Sequence, residues 1–236
     1  SLLKDLTLLD AALDREPPPD LILWLLTLES FAARDQLDPA LLQNNPDTVR
    51  DLIARFDLAQ DADDPRFVEP DVWGETIVGR RRDLADLLRL QLYGAAWALT
   101  GVDQAYGDDT PRSIDLSDDE TWRGFAPGEL ARDDLAFDVL AAGVARAGDV
   151  PVVLANEPIF ISEGANSDMR YNAFYPRWAY DAYRDWLADE ADASGWTLLD
   201  LWDALPAAEC YTDSPVHLTP ECSAALAQAL EAVITR

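Results

Sequence analysis

The chain has 236 residues, of which 49% are hydrophobic, so it can bury a full core in one large domain. Asp and Glu number 45 against 18 Lys and Arg, which gives a formal net charge of -27 at pH 7. Such a surface repels a phosphate backbone or an anionic membrane face, so nucleic acid is disfavoured as a partner. The longest apolar run, LILWLLTL at residues 21–28, is far shorter than the roughly 20 residues of a membrane span, so we expect none.

The first predicted element is an amphipathic helix at residues 1–15, whose leucines recur every three or four positions with acidic side chains between them. The turn Glu16-Pro-Pro-Pro-Asp20 ends this helix, and an apolar run at residues 21–27 follows. A short, near-continuous apolar run between turn signals is typical of a strand that is covered on both faces. We therefore expect a buried strand here.

The same order of helix, turn and apolar strand occurs twice more. A helical pattern at residues 131–147 precedes the apolar run 150–155, and another at residues 176–193 precedes the run 196–201; a last helix is expected at residues 221–234. The repeated order predicts an α/β fold in which helices cover both faces of a parallel sheet, in a single domain of residues 1–236. Residues 44–128 interrupt this order as a mainly helical insertion, which we expect to lie over the carboxyl ends of the strands.

Polar side chains follow all three predicted strands. Glu29 comes after the first strand, Asn156 and Glu157 come after the second, and a loop leads from the third to His217. Ligands of open α/β sheets bind at the carboxyl ends of the strands, so we expect these groups to converge on one site.

The polar loop after the second strand offers further candidates for substrate binding. Arg170 and Asn172 lie in this loop, and Glu157 precedes them. Glu157 and Arg170 can bind polar groups of a substrate, or they can form an ion pair with each other. Tyr171 and Tyr175 can stack on a sugar ring, although aromatic side chains at a helix start more often pack into a core.

His217 is the only histidine of the chain, and two interpretations fit it. It can simply precede a well-made helix start, since Thr219 suits the N-cap and Pro220 the first helical position. It can also be catalytic, because Asp213 is near enough to orient an imidazole. An Asp–His pair is two-thirds of a nucleophilic triad, in which the ring accepts the nucleophile's proton. The uniqueness of His217, and its place between a strand end and a helix, favour catalysis.

The run YTDSPVHLTPECSAALA at residues 211–227 resembles the final block of the SGNH (GDSL-like) hydrolase superfamily. In that block an aspartate and a histidine precede a helix that starts with Leu-Thr-x-x-Gly. The order of elements is also similar to that superfamily's three-layer α/β/α fold. The resemblance implies ester or acyl chemistry at a serine, with Asp213 as the acid and His217 as the base.

The chain departs from the family pattern at several positions. Three residues, rather than the usual two, separate Asp213 from His217, and Cys222 stands where the family has glycine. The first strand end lacks the family's Gly-x-Asn-Asp block, and Asn156 is our candidate to replace its oxyanion-hole asparagine. No Gly-Asp-Ser occurs in the sequence, so we infer that the first strand and the nucleophile lie upstream of these residues or that the protein lacks them. Ser30 fits a helix N-cap better than a nucleophile.

Cys210 and Cys222 bracket the Asp–His loop. A disulfide that clamps this loop and two separate buried thiols are equally compatible with the sequence. The chain has one histidine and two cysteines, without a C-x-x-C or H-x-x-x-H spacing, and this argues against a zinc site. We expect no metal and no cofactor.

Two functions from different classes fit these patterns. The first is a serine ester hydrolase or O-acyltransferase that acts on an acylated glycan or small ester, with the cell envelope as the favoured location. It predicts that Asp213, His217 and Asn156 converge in one cleft. The second is a catalytically inactive binding or scaffold domain that keeps the fold without the nucleophile.

Overall fold

A computed structural model describes residues 1–67, 76–100, 114–205, 207–212, 214 and 216–234. The strands are β1 (Ile22–Leu26), β2 (Val152–Asn156) and β3 (Thr197–Asp200). The helices are α1 (Leu2–Leu13), α2 (Leu28–Phe31), α3 (Pro39–Asn44), α4 (Pro46–Phe56), α5 (Arg81–Thr100), α6 (Phe137–Ala147), α7 (Arg177–Ser194) and α8 (Pro220–Ile234).

The three strands form a parallel sheet in the order β1-β2-β3, so β2 is central. Each strand follows a helix, as the sequence predicts, and the mixed α/β class with a parallel sheet is confirmed. The register aligns Leu26 with Asn156 and Asn156 with Asp200. All three strands therefore end at the same level, and the residues that follow them lie at one edge of the sheet.

The main hydrophobic core lies on one face of this sheet. Trp24, Leu26 and Leu154 belong to a buried cluster that also includes residues of α1, α6 and α7. Gly143 of α6 packs directly on the Trp24 ring, because a Cβ atom at position 143 would come within 2.2 Å of the ring carbon Cζ3. Glycine is thus required there by the close approach of α6 to β1.

The apolar run predicts that β1 is covered on both faces, but the described residues do not cover both. Leu23 and Leu25 are 37% and 43% exposed, and Leu8 of α1, which lies beside them, is 63% exposed. β1 is an edge strand of the described sheet, so only the side chains that alternate toward the core are buried. An apolar run indicates which residues favour burial, but it does not supply the neighbour that would cover them.

The insertion at residues 44–128 has two kinds of helix. α4 buries Val49, Leu52 and Ile53 in the core, whereas every described side chain of α5 is exposed. The described residues after α5 do reach the strand-end region, where the Leu116 N–H donates to the Ala165 carbonyl at 3.0 Å. Within the described part of the chain, no helix combines the length and the apolar character needed to cross a bilayer.

The expected helix at residues 131–147 begins later than the sequence indicates, at Phe137. Arg132–Asp134 forms a 3-10 turn instead, and the Asp134 carboxylate accepts the Ala131 N–H at 2.8 Å. This local hydrogen bond competes with the helix, as is usual for aspartate near a helix start.

Candidate functional site

The carboxyl edge of the sheet is closed by main-chain hydrogen bonds between neighbouring strands. The Glu157 N–H donates to the Leu26 carbonyl at 2.9 Å, and the Leu201 N–H donates to the Asn156 carbonyl at 3.0 Å. These bonds continue the ladders by one step beyond the strands. The side chains at this edge are therefore held on a rigid frame.

Asn156 lies at the centre of a buried hydrogen-bond network. Its amide nitrogen donates to the Asp200 carboxylate at 2.8 Å and to the Tyr180 hydroxyl at 3.4 Å. Its amide oxygen accepts the Tyr183 hydroxyl at 3.2 Å. Arg184 closes the network with two bonds to Asp200, of 3.0 and 2.6 Å.

This network changes the interpretation of Asn156. The residue is 0% exposed, and both polar atoms of its side chain already have protein partners. An oxyanion-hole donor must instead point at the position of the developing charge. In this structure Asn156 joins β2 to β3 and α7.

Glu157 is a carboxyl at this edge whose pKa burial changes. Its side chain is half-buried, and burial raises the pKa of the carboxyl. Near it, Thr27 and Tyr175 share a hydrogen bond of 2.9 Å between their hydroxyl oxygens. Burial also raises the pKa of Tyr175 to about 12, so its hydroxyl keeps its proton at neutral pH. The β1–β2 end of the site thus holds hydroxyl groups beside a carboxyl whose pKa is raised by burial.

Glu29, the other predicted carboxylate, is exposed and forms an ion pair with Arg123. Arg123 also pairs with Asp35, so one guanidinium bridges two carboxylates. Thr27 caps α2, since its hydroxyl accepts the Glu29 N–H at 3.2 Å. Ser30 lies inside this helix, so the interpretation of Ser30 as the N-cap is wrong.

Arg170 and Asn172 hold the loop after β2 in place. Arg170 is buried and donates to the carbonyls of Asp119, Asn172 and Ala173, so it does not form the alternative ion pair with Glu157. Asn172 donates to the Phe160 carbonyl at 2.9 Å and accepts N–H groups at its oxygen. Burial lowers the pKa of Arg170. Both side chains therefore hold the conformation of the loop, and Arg170 also ties it to the segment at Asp119.

The aromatic candidates are likewise part of the core. Tyr171 is 5% and Tyr175 is 1% exposed, which leaves neither ring a free face for a sugar. Tyr171 packs edge-on against Trp202 at 5.1 Å between ring centroids. The packing interpretation is thus the one that the geometry supports.

His217 lies in a short hairpin after β3. Tyr211 and Leu218 form an antiparallel bridge, the Thr212 N–H donates to the His217 carbonyl at 2.9 Å, and the Thr219 N–H donates to the Cys210 carbonyl at 2.8 Å. Cys210 and Cys222 are joined by a disulfide, which ties the hairpin to α8. His217 lies opposite Thr212 in this hairpin, and its side chain is exposed. Asp213 lies outside the described residues.

The base of this hairpin packs against the segment that follows the central strand. Tyr211 is fully buried, and its ring lies 5.8 Å from that of Phe160. Thr219 behaves as the predicted N-cap, because its hydroxyl accepts the Cys222 N–H at 3.4 Å and α8 begins at Pro220. The exposed histidine is therefore carried on a fixed base near the carboxyl edge of the sheet.

Sequence reasoning missed the residues that organise this edge. Tyr180, Tyr183 and Arg184 all come from α7, and Asp200 ends β3. Tyr183 and Arg184 lie three and four positions after Tyr180, which places the three side chains on one face of α7. This spacing was the signal that the sequence offered.

Among the described residues, no group of three or more His, Cys, Asp or Glu side chains is arranged to hold a metal ion. Comparison with protein-family models, with curated proteins and with solved structures gives no match for this chain.

Proposed function

We propose that this chain carries the acid and base of an SGNH-type serine ester hydrolase or O-acyltransferase, built on a three-layer α/β/α fold. The substrate class is an acylated glycan or a small ester, and the cell envelope is the proposed location. One observation supports this proposal above the others: the hairpin that carries His217 is anchored beside the residues that follow the central strand. That edge is where ligands of parallel α/β sheets bind.

In the proposed reaction His217 accepts the proton of a serine hydroxyl while the serine oxygen attacks the acyl carbon of the ester. The ester bond then breaks, the same proton passes to the leaving alkoxide, and water or an acceptor hydroxyl later releases the acyl group. Asp213 is proposed to orient the imidazole.

The nucleophile has to be a serine that reaches His217. The Ser214 hydroxyl accepts the Val216 N–H at 3.4 Å, which suits a turn residue, and the buried Ser162 hydroxyl donates to the Ile114 carbonyl. The sequence contains no Gly-Asp-Ser, so the proposed activity requires a nucleophilic serine other than Ser162 and Ser214.

Ester turnover by the full-length gene product tests this assignment. His217→Ala should lower kcat/KM on p-nitrophenyl acetate by roughly a thousandfold or more, because the base is lost. Glu209→Gln is the matched control, since Glu209 is exposed at the start of the same hairpin. Equal turnover by wild type and His217→Ala would rule out the proposed role of the histidine.

The second candidate is a catalytically inactive binding or scaffold domain. The specific observation in its favour is the network around Asn156, which leaves this residue without a free donor for an oxyanion. Calorimetric titration with acetylated oligosaccharides separates the two functions. Binding that is equal in wild type and His217→Ala, with no turnover by either, would support the binding domain.

A further inference from the structure

The segment at residues 114–121 crosses the loop that follows β2 and is fixed to that loop by hydrogen bonds. The Leu116 N–H donates to the Ala165 carbonyl at 3.0 Å, and the Ala165 N–H donates to the Asp115 carboxylate at 2.9 Å. Glycine is required at position 164, because a Cβ atom on Gly164 would overlap the main chain of the crossing segment. The loop and the crossing segment therefore form one closely packed unit.

An open pocket of about 310 Å³ lies where the loop and the crossing segment meet. Arg170 and Ala173 line it from the loop, and Asp119 and Thr121 line it from the crossing segment. Pockets that bind small ligands usually have volumes of about 300–1,000 Å³, so this one has room for one small molecule. None of the residues that line it belongs to the hairpin that carries His217.

Arg170 brings hydrogen-bond donors to the wall of this pocket. The residue is only 6% exposed, and it donates to the carbonyls of Asp119, Asn172 and Ala173. A guanidinium has five N–H groups, so these three bonds leave two N–H groups for other acceptors. A buried cation whose partners are neutral carbonyls is costly unless further acceptors reach it. A ligand with acceptor oxygens would therefore complete the surroundings of Arg170.

The crossing segment brings acceptors and hydroxyl groups. Asp119 accepts the Thr121 N–H at 2.8 Å, and this bond holds the pKa of the Asp119 carboxyl below its ordinary value. Asp119 is thus ionised at neutral pH, and a carboxylate can accept about four hydrogen bonds in all. The Ser117 hydroxyl, which also lines the pocket, accepts the Asp119 N–H at 3.1 Å and keeps its own proton to donate.

This mixed lining favours a neutral ligand over a charged one. An anion would meet the carboxylates of Asp115 and Asp119, in a chain whose net charge is -27. A cation would leave the N–H groups of Arg170 without an acceptor. A hydroxyl group both donates and accepts, so a molecule with several neighbouring hydroxyls can satisfy a carboxylate and a guanidinium together. Leu116 and Ala173 add apolar surface for the C–H groups of such a molecule.

We propose that this pocket binds one ring of a neutral sugar, with sugar oxygens accepting hydrogen bonds from Arg170 and sugar hydroxyls donating to Asp119. The proposal goes beyond the proposed function and does not depend on it, because sugar binding in this pocket needs neither a nucleophile nor His217.

NMR titration of the isotope-labelled chain with D-glucose, D-galactose and D-mannose, one sugar at a time, tests the proposal. At least one of them should shift the main-chain amide signals of Ser117, Thr121 and Ala173 in a saturable manner. Asp119→Asn should weaken this binding on the order of tenfold, because a neutral amide replaces a charged acceptor. Asp118→Asn is the matched control, since Asp118 is an exposed neighbour that does not line the pocket, and it should bind like wild type.

Two further arms test the pocket and its preference for a neutral ligand. Ala173→Leu should abolish the saturable shifts, because its larger side chain fills the pocket from an exposed position. D-glucuronate and D-glucosamine, which carry a negative and a positive charge on a similar ring, should bind on the order of tenfold more weakly than the best neutral hexose. Equal or tighter binding of either charged sugar would overturn the assignment of a neutral ligand. The absence of a saturable shift with all three neutral hexoses would overturn the proposal, as would equal weakening by Asp118→Asn and Asp119→Asn.

Discussion

At the scale of single residues, two fully buried tyrosines differ in whether their hydroxyl groups are satisfied. Tyr183 donates to Asn156 at 3.2 Å, whereas the Tyr211 hydroxyl has no hydrogen-bond partner among the described residues. A buried polar group without a partner costs about 1–3 kcal/mol, and a buried hydrogen bond contributes about 1 kcal/mol. The same chemical change should therefore have opposite effects at the two positions.

We predict that Tyr183→Phe lowers the free energy of unfolding by about 1–3 kcal/mol, because it leaves the Asn156 oxygen without a donor. Tyr211→Phe should leave the free energy of unfolding unchanged or raise it by about 1 kcal/mol. Urea denaturation of both variants measures the difference. Equal destabilisation by the two changes would contradict the network described around Asn156.

A pair of helical glycines provides a second residue-scale prediction. Gly143→Ala should destabilise the fold by about 1–3 kcal/mol, since its Cβ atom would lie 2.2 Å from the Trp24 ring in a packed core. Gly94→Ala should cost nothing, because no atom lies within 4 Å of its Cβ position and alanine favours a helix. Thermal unfolding of both variants is the measurement, and a stable Gly143→Ala variant would show that α6 and β1 are not in such close contact.

The sequence places Asn156 correctly at a strand end but does not reveal what the residue does there. Its partners Tyr180, Tyr183 and Asp200 are 24 to 44 residues further along the chain. Only the packing of α7 and β3 beside β2 brings them together. A strand-end asparagine is equally suitable for an oxyanion and for a buried network, so sequence alone leaves its role open.

At the scale of helices and strands, Arg146 connects α6 to α1. It donates to Asp10 at 2.5 Å and to Asp14 at 2.6 Å. Burial alone would raise the pKa of Asp10, but the hydrogen bonds from Arg146 and Arg55 outweigh burial and lower it. A carboxyl with a lowered pKa in the folded state stabilises the fold above its unfolded pKa, near 3.8. That stabilisation is lost as the pH falls through the lowered pKa.

Arg146→Gln should therefore reduce the free energy of unfolding by about 2 kcal/mol at pH 7, and by progressively less as the pH falls below about 4. Arg89→Gln is the control, since its pair with Asp86 is exposed, and it should change stability by less than about 1 kcal/mol at either pH. Chemical denaturation of both variants across this pH range is the measurement. A pH-independent loss would show that Arg146 contributes packing rather than an ion pair.

Most of the elements could be predicted from the sequence because each carries a local signal. The apolar runs identify β1, β2 and β3 to within two residues, and the turn at Gly195 ends α7 where expected. The prediction that failed was the burial of both faces of β1, because Leu25 is apolar yet exposed. Periodicity records what a side chain favours, whereas burial depends on neighbours that are distant in sequence.

At the scale of the whole molecule, the few arginines are shared among many carboxylates. With 18 basic against 45 acidic residues, single guanidinium groups bridge two acids, as Arg123 does for Glu29 and Asp35. Such bridges hold the acidic surface together, whereas residues 80–100, which include α5, contain four arginines and two aspartates. The charge pattern thus distinguishes the body of the molecule from this one helix.

Labelling of the full-length gene product with a fluorophosphonate probe, followed by peptide mapping, tests the central claim most directly. Such probes react with a serine only when a neighbouring base activates it. We predict one modified serine in wild type and loss of the label in His217→Ala, with the label retained in the Glu209→Gln control. An unlabelled wild-type protein, or a label that persists in His217→Ala, would contradict the assignment of His217 as the base.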